Sequence, residues 1–184
     1  KWVNFGGGHH ITREDYDIDL LIRIIQDFRK RFDVEIYLEP GEAIALNAGY
    51  LVTEVMDIVD NRYRTLILDA SAACHMPDVL EMPYRPPLKS AGKWGDPAKP
   101  IACRLSSLTC LAGDVIGDYA FPRPPVEGDR LIFEDMAIYS TCKNNTFNGM
   151  PLPDIYVLDE DGTTRRLTNF GYSDFKQRLG SKAK

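Results

Sequence analysis

The sequence lacks the long apolar stretches and basic runs that mark membrane and nucleic-acid-binding proteins. No segment approaches the roughly 18 to 20 uninterrupted apolar residues of a membrane span, and no basic segment leads into an apolar one at the N-terminus. The 27 Asp and Glu residues outnumber the 22 Lys and Arg residues, which gives a net charge of -5. Such a balance argues against a nucleic-acid or anionic-membrane partner. We therefore expect a cytosolic protein that suits a cationic ligand better than an anionic surface.

Cysteine and histidine are also scarce. The chain has Cys74, Cys103, Cys110, Cys142, His9, His10 and His75. The cysteine spacings match no CxxC zinc or redox signature, so we expect reduced thiols. Adjacent histidines on an extended segment face opposite ways and rarely share one ion. We therefore predict no metal site.

The first 48 residues carry the pattern of a βαβ unit. An apolar run at residues 2–5 predicts a strand, apolar residues at helical spacing predict a helix over Ile18–Phe32, and residues 34–38 predict a second buried strand. In a parallel sheet or barrel, ligands bind beyond the carboxyl ends of the strands. Both predicted strands end in distinctive turns on that face.

From residue 49 onward the pattern is mostly β. We predict strands at residues 51–59, 65–68, 131–139, 155–158 and 165–167, with a hairpin turn at Asp161-Gly162. Residues 83–100 carry five prolines and two glycines, which predicts a long surface loop.

Two turns follow the strands of the first unit, and either could bind a ligand. Three consecutive glycines, Gly6, Gly7 and Gly8, allow successive N–H groups to converge on a phosphate, with a helix N-terminus close behind. Glu39, two residues before Gly41, offers a carboxylate to a protonated ring nitrogen or an amine. Each segment is also an ordinary turn composition, so neither one alone decides between a binding site and a structural turn.

Cys110 lies among small and turn-forming residues, with Asp114 four positions on. An isolated cysteine is more often a small buried hydrophobic residue than a catalytic acid or nucleophile. The local sequence leaves both interpretations of Cys110 open.

Taken together, five segments resemble, in order, the motifs of the fold-type III pyridoxal-phosphate-dependent decarboxylases, which include ornithine and diaminopimelate decarboxylases. The segments are Asn4-Phe5-Gly6-Gly7-Gly8, Glu39-Pro40-Gly41, Leu68-Asp69-Ala70, Thr109-Cys110 through Asp114, and Tyr139 followed by Thr146-Phe147-Asn148-Gly149. The resemblance implies that the glycine turn, Gly41 and Tyr139 contact pyridoxal 5'-phosphate and that Glu39 bonds its ring nitrogen. It also implies a homodimer in which the Cys110 loop reaches the partner's active site.

Within that family, residues 6–12, 39–43, 74–86 and 135–140 are more similar to carboxynorspermidine decarboxylases. This resemblance implies decarboxylation of carboxynorspermidine or carboxyspermidine in polyamine synthesis, with Cys110 returning a proton to the carbanion. Decarboxylation of diaminopimelate or a basic amino acid stays open, as does a non-catalytic binding or assembly module.

Two departures from the family pattern affect substrate recognition. Glu42 stands where ornithine and diaminopimelate decarboxylases usually carry Arg, and Leu111 stands where they carry an acid that binds the distal amine. A polyamine-like substrate needs carboxylates elsewhere, because a desolvated cation requires a partner. The candidate ligands are Glu42, Asp69 and Asp78, with Asp114 behind them.

The implied fold is α/β plus β. Residues 1–48 would be the last βα units of a (β/α)8 barrel of the alanine-racemase type, and residues 49–184 a mostly antiparallel β-barrel domain. The family's cofactor-binding lysine lies upstream, on the first barrel strand, and two barrel strands alone leave open edges. We therefore expect a missing N-terminal barrel segment. Lys143 is interpreted as a solvent-facing loop lysine rather than a substitute.

Overall fold

The computed structural model describes residues 1–180. In this part of the chain the elements are, in order, β1 (Trp2–Asn4), α1 (Ile18–Phe32), β2 (Glu35–Tyr37), α2 (Gly41–Ala45), β3 (Leu51–Asn61), β4 (Tyr63–Leu68), α3 (Ala72–His75), α4 (Asp78–Glu81), β5 (Gly92–Lys93), β6 (Ile101–Ser107), β7 (Val115–Phe121), β8 (Arg130–Phe133), α5 (Tyr139–Cys142), a 3-10 turn (Phe147–Gly149), β9 (Ile155–Leu158), β10 (Thr164–Thr168) and α6 (Tyr172–Arg178).

The first unit is a two-stranded parallel sheet, β1 beside β2, with α1 as the crossover helix. Asp17 caps the start of the helix: its carboxylate accepts a hydrogen bond from the Leu20 N–H and so satisfies one of the unpaired amides of the first turn. Phe28 of the helix meets Phe5 edge to face, with ring centres 5.1 Å apart. The predicted strand–helix–strand order is confirmed.

A six-stranded mixed sheet forms most of the second half. Its strand order is β5-β7-β6-β4-β3-β8, and every pair is antiparallel except the parallel pair β4–β6. β9 and β10 form a separate antiparallel hairpin, and Gly162 takes the positive φ of 83° that its turn requires. The β-rich character and the hairpin are confirmed, although the main sheet is mixed.

The core of this half is built from side chains that alternate along the sheet strands. Leu66 and Leu68 of β4 and Leu105 of β6 are fully buried, and they pack in one cluster with Phe133 of β8 and Met76 after α3. Because successive residues of a strand face opposite sides, this period of two fixes which face of each strand is buried.

The structure corrects two of the sequence-based element predictions. The strand predicted over residues 131–139 ends at Phe133, because Asp135 takes a left-handed backbone conformation with φ 61°. The segment 83–100 is not a surface loop throughout: Leu88 is buried and bridges to Phe133. In addition, β6 and β7 have no counterpart among the predicted strands.

The first unit meets the sheet beside the segment that precedes α5. Met136 N–H donates to Gly49 O at 2.8 Å, and Asn47 N–H donates to Asp135 Oδ1 at 3.1 Å. A Cβ on Gly49 would lie 2.9 Å from Ala137 Cβ, so this close approach requires glycine. Within residues 1–180, no helix combines the length and the apolar character that crossing a membrane demands.

Candidate active site

The glycine turn and Glu39 lie side by side where β1 and β2 end. Glu39 N–H donates to Gly6 O at 2.9 Å. Gly7 also lies against Glu39, since a Cβ on Gly7 would be only 3.1 Å from the Glu39 carbonyl oxygen. The two predicted cofactor-binding turns are therefore adjacent.

Asn4, the last residue of β1, joins the two turns. Its Nδ2 donates to Glu39 Oε1 at 2.5 Å, and its Oδ1 accepts from the Gly6 N–H at 2.7 Å. Glu39 Oε2 has no hydrogen-bond partner among residues 1–180. The side-chain amide therefore fixes one carboxylate oxygen of Glu39 and leaves the other available for a ligand.

The glycine turn leaves a run of backbone N–H groups unpaired. Gly6 and Gly8 take φ values of 75° and 79°, a region that favours glycine. The N–H groups of Gly7, Gly8, His9 and His10 have no acceptor among residues 1–180. Consecutive unpaired amides of this kind form anion-binding turns. A phosphate group fits this turn.

Glu42, at the start of α2, reaches back to the glycine turn. Its Oε2 lies 2.8 Å from His10 Nδ1, and the two side chains are 34% and 56% exposed. Gly41, which begins α2, donates its N–H to Glu39 O at 2.9 Å. Glu42 is therefore adjacent to the glycine turn, but one of its oxygens is already paired with a histidine.

Asp69 follows β4 and keeps one unpaired carboxylate oxygen. Its Oδ1 accepts hydrogen bonds from the Thr53 hydroxyl and from the Glu54 N–H, the latter at 2.9 Å. Its Oδ2 has no protein partner among residues 1–180. The residue lines a cavity of about 630 Å³ together with His75 and Asp154.

Asp78 is paired with a lysine. Lys143 Nζ donates to Asp78 Oδ1 at 2.5 Å and to Glu81 Oε2 at 2.9 Å. The bond to Asp78, followed by the bond to Glu81, raises the pKa of Lys143. Lys143 is therefore a charged bridge between two carboxylates, on the partly exposed loop that follows α5.

Tyr139 lies at the start of α5 and is 58% exposed. Its ring centre is 4.9 Å from Lys143 Nζ. In the part of the chain that the structure describes, no hydrogen bond or ring contact joins Tyr139 to Gly7 or Glu39. The structure thus brings the two turns together but does not place Tyr139 against them.

Asp114 is buried beneath the predicted interface loop. It is 2% exposed, and it accepts hydrogen bonds from Ser71 Oγ at 2.7 Å, Thr109 Oγ1 at 2.5 Å and Ala73 N–H at 3.2 Å. These three donors occupy both carboxylate oxygens. Asp114 therefore supports the loop from within, and this placement does not suit the predicted role as a substrate ligand.

Cys110 lies on the surface of this loop, next to the Phe147–Gly149 turn. Its thiol is free and the residue is exposed. Its N–H donates to Asn148 Oδ1 at 2.7 Å. Two motifs of the predicted site are thus joined, and the thiol can be reached from outside the chain.

His75 is a buried histidine with both ring nitrogens in hydrogen-bond contact. Its Nδ1 accepts from the Ser71 N–H at 3.1 Å, and its Nε2 lies 2.9 Å from Pro151 O. An N–H donor on one nitrogen and a carbonyl acceptor on the other assign the proton to Nε2. Burial lowers the pKa of His75 and so favours this neutral ring. Among residues 1–180, no group of three or more His, Cys, Asp or Glu side chains could hold a metal ion.

Comparison with known proteins identifies the family. Residues 16–137 match the family model for the C-terminal sheet domain of pyridoxal-dependent decarboxylases, which is more than half of the chain. The chain belongs to this decarboxylase family.

Individual relatives agree with the family match. The chain is 42% identical to a carboxynorspermidine/carboxyspermidine decarboxylase of Campylobacter jejuni, over 97% of this chain and 49% of that protein. It is 44% identical to a carboxyaminopropylagmatine decarboxylase of Synechocystis, over 98% of this chain and 46% of that protein. The crystal structure of C. jejuni carboxynorspermidine decarboxylase with norspermidine superposes with a TM-score of 0.84 at 41% identity, over 97% of this chain and 51% of that one. The chain spans about half the length of these relatives.

Three polar residues of the candidate site escaped the sequence-based predictions of individual roles. Asn4 and Asn148 lie inside the quoted motifs, but only the structure shows that their amides join separate segments. His10 received only a metal interpretation, and its bond to Glu42 spans 32 residues. The available signal was the position of each residue beside a glycine motif, which does not reveal the partner.

Proposed function

We propose that this chain is the C-terminal part of an enzyme that uses pyridoxal 5'-phosphate to decarboxylate carboxynorspermidine or carboxyspermidine, giving norspermidine or spermidine in polyamine synthesis. The observation that carries the proposal is the adjacency of Gly7 and Glu39, with unpaired amides on one turn and a free carboxylate oxygen on the other. These groups suit the opposite ends of one phosphorylated pyridine. The names of the relatives support the substrate class.

In this proposal the amides after Gly6 would bind the phosphate, and Glu39 Oε2 would accept a hydrogen bond from the protonated ring nitrogen while Asn4 Nδ2 holds Oε1. Gly41 and Tyr139 line the same cofactor. When bound, the cofactor supplies an electron sink for the pair released as CO2 departs. A carboxylate at the ring nitrogen keeps that nitrogen protonated, which sustains the sink.

We assign the return of the proton to the Cys110 thiol, acting across a two-fold interface on the active site of the partner subunit. Its exposure and the bond to Asn148 support this role, because the thiol is reachable and its loop is fixed. Asp69 is the best placed of the four substrate candidates, since one carboxylate oxygen is unpaired among residues 1–180 and the exposed residue lines the cavity. Glu42 and Asp78 are already paired with His10 and Lys143.

We also propose that residues 1–48 complete a (β/α)8 barrel with a segment outside this chain, and that residues 49–184 form a β-barrel domain. Exposed apolar residues on the first unit, including Trp2 at 67%, support the missing neighbour. For the β-barrel domain, the support is that residues 89–93 link the two edges of the sheet: the segment ends in β5, one edge strand, and also bonds to β8, the other edge strand. Lys89 N–H donates to Ile132 O of β8, and Gly92 pairs with Ala120 of β7. The cytoplasm remains the expected compartment.

Carboxyaminopropylagmatine is a second candidate substrate, because the Synechocystis relative is as similar as the C. jejuni one. The test is product analysis with the protein translated from the complete reading frame. Carboxynorspermidine, carboxyspermidine, carboxyaminopropylagmatine, diaminopimelate and lysine are supplied separately, with and without pyridoxal phosphate. Cofactor-dependent CO2 release with norspermidine or spermidine as product supports the proposal. Preference for diaminopimelate or lysine, or cofactor binding without any turnover, contradicts it.

A further inference from the structure

We infer that His10 and Glu42 form a dyad that serves the phosphate end of the cofactor, with His10 contacting the phosphate and Glu42 orienting the imidazole. The inference rests on the proposed function and deepens it. It assigns Glu42 to positioning, instead of the substrate-binding role considered for it.

The contact between the two side chains fixes which ring nitrogen is available. Glu42 Oε2 is an acceptor only, so His10 Nδ1, at 2.8 Å, must be the donor. His10 Nε2 has no partner among residues 1–180. The second nitrogen is therefore free to donate to an anion when the ring carries both protons.

The position of His10 couples the ring to the anion-binding turn. The backbone N–H of His10 is the last of the four unpaired amides that begin at Gly7. An anion held by these amides lies beside the residue that carries the imidazole. Charge-assisted hydrogen bonds to phosphate are stronger than neutral ones, so a cationic ring there adds affinity.

Arg13, the neighbouring arginine of this segment, is paired within the segment itself. Arg13 donates two hydrogen bonds to Asp15, at 2.9 Å and 2.7 Å. The other histidine of the segment, His9, has its Nδ1 3.2 Å from the Tyr16 hydroxyl, and its Nε2 is buried without a hydrogen-bond partner among residues 1–180. An unpaired Glu42 beside a phosphate would repel it, whereas a Glu42 that accepts from His10 Nδ1 holds the imidazole next to the unpaired amides.

A double-mutant cycle tests the dyad, because the effect of Glu42→Gln on cofactor affinity should depend on whether His10 is present. Titrations of the complete protein measure the Kd for pyridoxal phosphate and for pyridoxal, which lacks the phosphate. His10→Gln should raise the Kd for pyridoxal phosphate about tenfold and leave that for pyridoxal within about twofold. Glu42→Gln should also weaken the binding of pyridoxal phosphate, by about threefold, because the hydrogen bond that orients the imidazole loses its charged acceptor. In the His10→Gln background, the same Glu42→Gln change should have no effect or tighten binding, because it then removes only a negative charge.

Arg13→Gln is the matched control, since Arg13 is an exposed, ion-paired cation of the same segment, and it should change neither Kd by more than about twofold. His10→Arg should restore affinity to within about threefold, because it replaces the positive charge.

Tighter binding by Glu42→Gln alone, or equal losses of affinity for pyridoxal and pyridoxal phosphate in His10→Gln, would overturn the dyad. If His10→Gln leaves the Kd for pyridoxal phosphate unchanged in a protein that binds the cofactor and turns over, the dyad is refuted but the proposed function is not. A wild-type protein that binds no pyridoxal phosphate removes the proposed function as well.

Discussion

Asn148 accepts a hydrogen bond from the Cys110 N–H at 2.7 Å, across 38 residues of sequence. Asn148 itself has φ 61°, a left-handed conformation that Asn and Gly adopt most readily. The side-chain amide therefore sits on a defined turn and holds the backbone of the exposed cysteine in place. If Cys110 transfers a proton, the position of its thiol depends on the hydrogen bond to Asn148.

Replacing Asn148 with Gly should slow turnover without affecting cofactor binding. Glycine keeps the left-handed turn and removes only the acceptor, so the Cys110 loop loses its anchor. We expect kcat to fall about tenfold, because small displacements of a reacting group are costly. Cys110→Ala, which removes the thiol, should lower kcat further while bound-cofactor absorbance stays intact.

Asn47→Gly is the matched control for this change. Asn47 also has a left-handed conformation, with φ 59°, and its side chain makes no hydrogen bond to residues 1–180. We expect its kcat to stay near that of the wild type. Equal kcat values for Asn148→Gly and the wild type would show that this anchor does not matter.

Asp114→Asn should destabilise the protein. The carboxylate accepts hydrogen bonds from Ser71, Thr109 and Ala73. In asparagine one of the two oxygens becomes an NH2 group, which is itself a donor and cannot accept these bonds. Leaving buried donors unsatisfied costs about 1–3 kcal/mol of unfolding free energy. Urea unfolding measures the loss. Asp118→Asn, which disrupts a more exposed pair with Arg104, should cost less than about 1 kcal/mol. Equal losses from both substitutions would contradict the supporting role of Asp114.

The first unit could be predicted because its signals are local. Apolar residues at helical spacing mark Ile18–Phe32, and glycine or Pro-Gly closes each strand. The adjacency of Gly7 and Glu39 also follows from the sequence, since parallel strands end at the same edge. The bond between His10 and Glu42 does not follow, because it depends on side-chain conformations in two different turns.

The main sheet was harder to predict for two physical reasons. β7 contains Gly117 and Asp118, which have low strand propensity, and their tertiary neighbours override that preference. β8 looked longer than it is, because the apolar run continues past the left-handed turn at Asp135. Burial of Asp114 was likewise hidden, since its three donors come from distant or irregular segments.

His75 should make stability depend on pH. Burial lowers its pKa in the folded state, so the unfolded chain binds the proton more readily. Its contribution is complete above the unfolded pKa of about 6.5 and is lost as pH falls toward the lower folded value, by at most about 1.4 kcal/mol per pH unit. The unfolding free energy, measured by urea denaturation between about pH 5 and 7, should change less with pH in His75→Asn than in the wild type. Identical slopes would exclude this contribution.

Lys143 should not be the lysine that carries the cofactor. Its bonds to Asp78 and Glu81 raise its pKa, and a charged ammonium is not a nucleophile. Lys143→Met should therefore retain covalently trapped cofactor after borohydride reduction of the complete protein, and peptide mapping should place the label on another lysine. Lys89→Met serves as the surface control. Label recovered on Lys143 would contradict the bridge assigned to it.

If the glycine turn and Glu39 bind opposite ends of one cofactor, Glu39→Gln should impair turnover far more than cofactor binding. The complete protein is assayed for kcat and for the Kd of pyridoxal phosphate in the same preparation, with Glu35→Gln of β2 as the control. We predict that Glu39→Gln lowers kcat at least about 100-fold, because the ring nitrogen loses its anionic partner, and changes the Kd by less than about threefold. A Glu39→Gln enzyme that turns over like the wild type and the Glu35→Gln control would contradict the account.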